Sequence, residues 1–379
     1  MLRPHLRQLD SEMPRYDAKP ADAVWPRAGD PDRARRGVER WLERATEQSD
    51  PGLRDFIAAL PADPRGRALL EAVFGGSSYL TELALKTPAT VQRFLADGPH
   101  AAVTTELAAL RADSAAEADT TRLMQGFRLA KRRVALLIAL ADIGGVWPLQ
   151  QVTGALSDLA ETTLDLAVAH LLSRAAARGL LRPEAVAASD ASGLIVLGMG
   201  KLGARELNYS SDVDLIILYD ADKVPTDRPD DLGQTFSRMT RDLVRIMEER
   251  TVDGYVFRTD LRLRPDPGAT PPAVSLAAAE SYYTSLAQSW ERAAMIKARP
   301  VAGDRAAGDE FLDFLTPFIW RRNLDFAAIQ DIHAIKRQIH HHHGHGTVAI
   351  EGHDLKLGRG GIREIEFFVQ MQQLIFGGR

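Results

Sequence analysis

The sequence predicts an α+β protein in which a mixed β-sheet core lies between a large N-terminal helical domain and C-terminal helices. Up to about residue 182, apolar residues recur every three or four positions, as they do in helices. After about residue 190 they form short runs typical of strands, and helical spacing returns after residue 305. We therefore expect a polar N-terminal segment at residues 1–30 and a helical domain at residues 31–185. The core is expected at residues 186–305, and a helical segment that completes the core domain at residues 306–379.

The composition is that of a globular protein and excludes several classes of protein. The chain has 379 residues, a length typical of two or three domains, with 45% hydrophobic and 26% charged residues. It has no cysteine, which excludes disulfides and cysteine-ligated zinc. The net charge of -4 provides no positive field for nucleic acid. No apolar run is typical of a signal peptide or a membrane span, so we expect a cytoplasmic protein without nucleic-acid or membrane partners.

The helical domain is predicted chiefly from two strongly periodic stretches, 123–143 and 149–172. Glycines at Gly75-Gly76, at Gly98 and at Gly144-Gly145 predict helix ends. No internal repeat is visible, so we expect a helical bundle rather than a solenoid.

The core is predicted from strand-like and helix-like runs. Four runs resemble strands: 194–197, 213–219, 255–264 and 299–301. Five runs resemble helices: 232–250, 277–298, 309–318, 325–340 and 360–376. The sequence stops directly after the last of these helices, which suggests a fragment of a longer chain.

A glycine pattern after the first strand resembles the fingerprint of dinucleotide-binding proteins. Gly198, Gly200 and Gly203 spell GxGxxG. Only about nine residues separate Gly203 from Val213, whereas a parallel crossover needs a dozen or more. We therefore interpret the pattern as a short turn whose backbone approaches a phosphate, with Gly200, Lys201 and Gly203 as binding candidates.

Two aspartates follow this turn at the start of the second strand. Asp212 and Asp214 are two residues apart, and such side chains point to the same face of a strand. Paired carboxylates suit a hard divalent cation such as Mg²⁺, with Mn²⁺ as an alternative, and a metal held in this way can bridge nucleotide phosphates. Ser210 and Ser211 are further candidates for nucleotide or phosphate binding. The alternative is a pair of solvated acidic residues at the mouth of a strand.

The third predicted strand carries a third candidate carboxylate, Asp260. Alternation over residues 255–264 places Asp260 on one face together with Arg258, Arg262 and Arg264, a set that suits metal and phosphate binding. The other face is apolar. The alternative is a salt-bridged sheet face without a catalytic role.

A glycine turn precedes the last predicted helix, and charged residues surround it. Lys356, Arg359 and Arg363 lie near the helix N-terminus, which is a ready anion site. Glu364 and Glu366 diverge around the helix, so only one would reach an active site, and we favour Glu364. The alternative is an acid that stabilises the helix dipole.

Two other groups of polar residues have more than one interpretation. The histidines His340–His343 and His345 point in different directions, so we predict a solvated loop rather than a metal site. Glu291, Arg292 and Arg299 are either ion pairs at the sheet edge or substrate contacts.

Four stretches together resemble the bacterial family of glutamine synthetase adenylyltransferase/adenylyl-removing enzymes. They are GMGKLGARELNYSSDVDL (198–215), VFRTDLRLRP (256–265), WERAAMIKARPVAGD (290–304) and DLKLGRGGIREIEF (354–367). The resemblance continues more faintly through residues 78–94 and 152–171. It implies a polymerase-β-like nucleotidyltransferase fold, which this family uses in two homologous halves.

The YSSD form of the motif and the helical region before it resemble the N-terminal, adenylyl-removing half of this family. The resemblance implies that phosphate attacks the adenylylated tyrosine of glutamine synthetase and releases ADP, with Asp212, Asp214 and Asp260 holding two Mg²⁺ ions. The expected partners are adenylylated glutamine synthetase, ADP or ATP, phosphate and, for the full-length protein, a PII-type regulator. Two alternatives stay open: another nucleotidyltransferase, and a regulatory module that binds nucleotide without catalysis.

Overall fold

The computed structural model describes residues 20–187, 192–320 and 351–377. The helices of the N-terminal region are α1 (Pro31–Glu47), α2 (Pro51–Ala59), α3 (Pro64–Gly76), α4 (Ser78–Lys86), α5 (Pro88–Asp97), α6 (Pro99–Ala115), α7 (Thr120–Ile143), α8 (Leu149–Ala177) and α9 (Glu184–Ala187). The strands are β1 (Leu194–Gly198), β2 (Val213–Tyr219), β3 (Thr259–Asp260), β4 (Ala273–Ser275) and β5 (Arg299–Gly303). The later helices are α10 (Gly200–Gly203), α11 (Leu232–Glu248), α12 (Leu276–Ser285), α13 (Ser289–Met295), α14 (Arg305–Phe314), α15 (Thr316–Ile319) and α16 (Ile362–Phe376). A mostly helical chain with a small mixed sheet is compatible with the predicted α+β class.

Asp-Pro dipeptides set the starts of the first three helices. The side chains of Asp30, Asp50 and Asp63 each accept a hydrogen bond from a backbone N–H in the first turn of α1, α2 and α3. A proline follows each aspartate, with a φ angle that already suits a helix and no N–H to leave unpaired.

Two long helices organise the N-terminal domain, and both were predicted. The stretch 123–143 is confirmed as α7, which starts three residues earlier because Asp119 accepts hydrogen bonds from the N–H groups of the first turn. The stretch 149–172 is confirmed as α8, which continues to Ala177. Their buried faces share one apolar cluster with side chains of the shorter helices, such as Trp41, Phe74 and Phe94.

The sheet has the strand order β3-β2-β1-β5, and β4 pairs with the far end of β2. β1 is antiparallel to both β2 and β5, while β2 is parallel to β3 and β4. The antiparallel pairing of β1 with β2 excludes the βαβ unit of a dinucleotide-binding turn, as the short connection between them predicted. The predicted strands at 194–197, 213–219 and 299–301 are confirmed as β1, β2 and β5.

The predicted strand 255–264 is wrong over most of its length, because only Thr259 and Asp260 pair with β2. Before them, the N–H groups of Val256 and Phe257 donate to the carbonyl of Met247 at the end of α11. After them, the chain turns away from the sheet within two residues. The structure therefore does not place residues 258–264 along one strand face.

Strand β4 and the interruption between α12 and α13 were not predicted. Strand β4 has only three residues, too few for a clear alternation. The predicted helix 277–298 divides because the Glu291 carboxylate accepts the N–H of Gln288 and starts a new helix there. The predicted helix 309–318 corresponds to parts of α14 and α15, the predicted helix 360–376 is confirmed as α16, and 325–340 lies outside the described residues.

Both faces of the sheet are buried. One face, which includes Val196 and Ile217, joins the apolar cluster of the N-terminal helices and α11. The other face, which includes Ile195 and Ile216, packs with α12, α14 and α16 in a second cluster. In the described part of the chain, no helix combines the length and the apolar character needed to cross a membrane.

Candidate active site

Asp214 lies at the second position of β2, directly across from the glycine turn that follows β1. The N–H of Met199 donates to the Asp214 carbonyl at 2.8 Å, so the backbone places the turn beside this residue. A Cβ atom on Gly200 would lie 3.2 Å from an Asp214 carboxylate oxygen, and Gly200 has a φ of +52°. Glycine therefore allows both the left-handed turn and the close approach.

The other two predicted carboxylates lie beside Asp214. Asp260 on β3 is the register partner of Asp214 in the parallel β2–β3 pair. Asp212 precedes β2 by one residue. Burial, followed by the charges of Asp260 and Asp212, raises the pKa of Asp214 to about 6. The structure thus brings together all three carboxylates, and their negative charges repel one another.

Arginines accompany two of these carboxylates. The Arg258 Nε donates to Asp212 at 2.5 Å, and the Arg262 guanidinium donates to Asp260 at 2.5–3.0 Å. Among the described residues, no group of three or more acidic or histidine side chains already has the geometry of a metal site. The donor chemistry nevertheless fits a hard divalent cation, because Asp212 and Asp260 line an open cleft and Asp214, their neighbour on β2, has no salt bridge to any described residue.

The three arginines predicted to share a strand face have different surroundings. Arg258 is held on three sides, by Asp212, by the Tyr255 hydroxyl at 3.0 Å and by the Ser210 carbonyl at 2.6 Å. Arg264 donates to four backbone carbonyls of residues 261–271, so it organises its own loop. The Arg262 side chain is 85% exposed at the mouth of the cleft. Arg262 is thus the one of the three best placed to meet a dissolved anion.

An open cleft of about 420 Å³ lies in front of Asp212 and Asp260. Its walls include Arg258, Thr259, Leu261 and Arg262 from the strand region, together with Val244 and Glu248 from α11. Val244 and Glu248 were not predicted, because no local sequence pattern shows that the end of α11 packs beside β3.

The glycine turn forms the short helix α10, and its glycines are required by close packing. A Cβ atom on Gly203 would lie 1.9 Å from the Lys297 carbonyl oxygen. Lys201 is exposed on α10. The Ser210 carbonyl accepts from Arg258, and the Ser211 N–H donates to the Asn208 carbonyl, so both serines belong to the turn that leads to Asp212.

The turn before α16 brings one basic residue toward the site. Arg363 lies close enough to Asp214 to lower its pKa, against the larger effect of burial. The Glu364 carboxylate accepts the N–H of Gly360 at 2.8 Å, which favours the helix-start alternative for this residue. Lys356 and Arg359 lie in the turn itself, and Glu366 lies within α16. The predicted histidine loop at 340–345 lies outside the described residues.

Glu291, Arg292 and Arg299 have internal partners rather than positions in the cleft. Glu291 is buried at the start of α13, and Arg292 donates to the carbonyls of Phe318 and Ile319. Arg299 at the start of β5 pairs with Glu161 of α8. The predicted alternatives were ion pairs at the sheet edge and substrate contacts. The structure favours an ion pair for Arg299, whereas Glu291 and Arg292 hydrogen-bond to backbone groups.

Comparison with known proteins relates the chain to one family. The family model described as glutamate-ammonia ligase adenylyltransferase matches residues 68–314, and a PII-uridylyltransferase model matches residues 332–379. The matching curated relatives include the bifunctional glutamine synthetase adenylyltransferase/adenylyl-removing enzymes of Xanthobacter autotrophicus, Rhizobium meliloti and Agrobacterium fabrum.

These relatives are similar over most of this chain but are much longer. The Xanthobacter protein is 51% identical over 89% of this chain and 34% of its own length. The Rhizobium protein is 52% identical over 86% of this chain and 34% of its own length. The Agrobacterium protein is 59% identical over 68% of this chain and 26% of its own length. The chain spans about a third of the length of the curated relatives it matches. It belongs to the glutamate-ammonia ligase adenylyltransferase family.

Proposed function

We propose that this chain is a nucleotidyltransferase that removes AMP from an adenylylated tyrosine of glutamine synthetase by phosphorolysis. The observation that carries the proposal is the register of Asp214 with Asp260 on parallel strands, with Asp212 beside them at an open cleft. A mixed sheet with three carboxylates at one end also supports the polymerase-β-like nucleotidyltransferase fold. The names of the relatives supply the protein substrate. Assignment to the adenylyl-removing half rests on the YSSD motif and the long helical region before it.

The proposed reaction exchanges one phosphorus–oxygen bond for another. An oxygen of inorganic phosphate attacks the phosphorus of the tyrosyl-AMP group, and a new P–O–P bond forms in ADP. The bond from phosphorus to the tyrosyl oxygen breaks, and that oxygen keeps the electron pair and takes up a proton. The products are ADP and unmodified glutamine synthetase, which is the active form.

Asp212, Asp214 and Asp260 would hold Mg²⁺, with two ions expected and Mn²⁺ as an alternative. When bound, the metal neutralises charge on the phosphates and on the leaving tyrosyl oxygen. Metal binding requires an ionised Asp214. It also requires the carboxylates of Asp212 and Asp260 to bind the cation as well as their arginine partners. Arg258 already holds Asp212 at the edge of the cleft.

Inorganic phosphate would bind at the exposed guanidinium of Arg262, because planar guanidinium groups contact phosphate oxygens bidentately. The nucleotide phosphates would lie by Gly200 and Lys201, with Arg363 also near Asp214. In this proposal Arg258 and Arg264 keep their positions in the loops and do not bind the attacking phosphate.

The remaining partners are proposed from the relatives. In the longer family proteins a second half would adenylylate glutamine synthetase with ATP. The match of residues 332–379 to a PII-uridylyltransferase model supports a link to a PII-type regulator. A protein with these partners would work in the cytoplasm.

The test is an assay for phosphate-dependent ADP release from adenylylated glutamine synthetase, with Asp212→Asn and Asp214→Asn as variants. We expect each variant to lose at least about 100-fold in rate while keeping its melting temperature within a few degrees, because each removes a carboxylate in the cleft region rather than an apolar core contact. Asp222→Asn, an exposed aspartate on the loop after β2, is the matched control and should be fully active.

Two results would contradict the proposal. Near-normal activity of both variants with unchanged melting would show that Asp212 and Asp214 are not catalytic. Efficient ATP-driven adenylylation of glutamine synthetase without phosphorolysis would show that the chain is the other half.

A further inference from the structure

The segment between the glycine turn and Asp212, residues 204–212, is attached to the N-terminal helices. Its first attachment is Arg205, which has a φ of 57°, a left-handed conformation that residues other than glycine seldom adopt. The Arg205 guanidinium pairs with Asp158 at 2.6 Å and with Glu161 at 3.3 Å, both on α8. An unfavourable backbone conformation is thus accompanied by two ion pairs to a different part of the molecule.

Two further attachments follow along the same segment. Leu207 is fully buried, and its N–H donates to the Ser157 hydroxyl of α8 at 3.4 Å. The Tyr209 hydroxyl donates to the Asp142 carboxylate in the last turn of α7 at 2.9 Å. Burial and the nearby Asp142 raise the pKa of Tyr209, so this hydroxyl keeps its proton at neutral pH. Tyr209 precedes Asp212 by only three residues.

Helix α7 also holds the loop that leads to Asp260. The Arg128 guanidinium donates to the carbonyls of Glu249 and Gly254, and Arg132 pairs with Asp253 at 2.8 Å. Lys131 donates to the Tyr255 carbonyl at 3.1 Å and lies over the Tyr255 ring. One helix therefore contacts the segment that leads to Asp212 and the loop that leads to Asp260.

We infer that α7 fixes the position of Asp212 relative to Asp260, and that Tyr209 and Asp142 are positioning residues for metal binding. The inference rests on the proposed function, because it assigns these two residues a role at the proposed metal site. The Tyr209 hydroxyl already donates its hydrogen bond to Asp142. Tyr209 would therefore act by holding the chain before Asp212 in place, without touching the substrate. Loss of the Tyr209–Asp142 hydrogen bond would remove this contact between α7 and the turn before Asp212. The buried apolar face of α7 would not change.

The test is direct titration of Mn²⁺, by electron paramagnetic resonance or calorimetry, into the unsubstituted chain and into Tyr209→Phe and Asp142→Asn. Tyr209→Phe keeps the ring and removes only the hydroxyl. We expect each variant to bind Mn²⁺ about 10-fold more weakly, as is typical when a group supporting a metal ligand is lost. The melting temperature should change by no more than a few degrees. The double variant should bind no more weakly than either single variant, because both remove the same contact.

Asp227→Asn is the control. The Arg182–Asp227 pair also links the N-terminal helices to the core, but it is exposed and lies outside the cleft. It should leave Mn²⁺ binding unchanged. Equal Mn²⁺ affinity in the unsubstituted chain and in Tyr209→Phe would overturn the inference and leave the proposed function intact. Failure of the unsubstituted chain to bind Mn²⁺ would overturn the proposed metal site and the inference together.

Discussion

At the scale of single residues, the surroundings of Asp214 have opposite effects on the stability of the fold and on the binding of a cation. Its carboxyl group is partly buried beside Asp260 and Asp212, and these three effects together raise its pKa to about 6. A charge that is poorly solvated and repelled by its neighbours destabilises the folded protein. The same surroundings favour a bound cation, which would neutralise the three carboxylates. Strained or repelling groups of this kind are typical of functional sites.

We predict that Asp214→Asn stabilises the metal-free protein above pH 6. The folded protein binds a proton at Asp214 more tightly than the unfolded chain does, so this stabilisation is present below about pH 4 and is lost as the pH rises through 6. Asparagine carries no charge at any pH. Because Asp214 is only partly buried, solvent screening reduces the effect, and we expect about 1–2 kcal/mol at pH 8.

The measurement is urea unfolding in the presence of a chelator at pH 4, 6 and 8. The difference between Asp214→Asn and the unsubstituted chain should grow from pH 4 to pH 8, while Asp222→Asn should show no such trend. An Asp214→Asn variant that is less stable at pH 8 would contradict the prediction.

The aspartates of the site could be predicted from the sequence, whereas the roles of the arginines could not. Asp212 and Asp214 precede an apolar strand at a spacing of two, which is a local pattern. The separation of Arg258, Arg262 and Arg264 depends on β3 being only two residues long. Hydrogen bonds from Val256 and Phe257 to Met247, at the end of α11, hold the chain away from a longer strand before β3.

At the scale of elements, the turn between β1 and β2 shows why glycine occurs in a GxGxxG pattern without a dinucleotide. Gly198 and Gly203 lie where other backbone segments and side chains approach closely, and a Cβ atom at Gly198 would lie 2.6 Å from the Val301 side chain. The glycines therefore allow α10 to fit between β1 and the segment before β5. A sequence motif alone does not distinguish this packing from cofactor binding.

We predict that Gly203→Ala destabilises the protein by about 3 kcal/mol or more. The added methyl group would meet the backbone carbonyls of Lys297 at 1.9 Å and Gly198 at 2.4 Å, and neither can move without displacing a strand. Gly126→Ala is the matched control, since Gly126 lies within α7 with open space around it. That change should stabilise the protein by about 0.5–1 kcal/mol through helix propensity. Chemical denaturation of both variants checks the difference, and a Gly203→Ala protein of normal stability would contradict it.

Among the core elements, strand β2 was easier to predict than β3 or β4. An apolar run of seven residues after a turn is a strong local signal. Strands β3 and β4 have two and three residues, and each exists only because β2 offers it a pairing edge. Their positions are a consequence of tertiary structure and leave little trace in the local sequence.

At the scale of the whole molecule, the N-terminal helices and the sheet form one body. A single apolar cluster extends from α1 through α7 and α8 to one face of the sheet. Glu161 of α8 adds ion pairs to Arg205 after α10, to Arg299 on β5 and to Arg305 on α14. The boundary near residue 185 that the change of sequence pattern predicts is therefore crossed by apolar and polar contacts.

We predict that the N-terminal helices and the core unfold in one transition, despite this change of pattern. Leu171 of α8 is 5% exposed and lines a small cavity together with Val196 and Ile217 of the sheet. Leu171→Ala should cost about 2–5 kcal/mol, because it removes a buried side chain between the two parts. Urea unfolding would be followed separately by Trp41, in the N-terminal helices, and by Trp290, in the core, using variants that retain only one of the five tryptophans. Both midpoints should fall together in Leu171→Ala, whereas Leu42→Ala, at a site 42% exposed on α1, should leave both nearly unchanged. Two separate transitions, with only the Trp41 midpoint lowered, would show that the helical domain folds independently of the site it contacts.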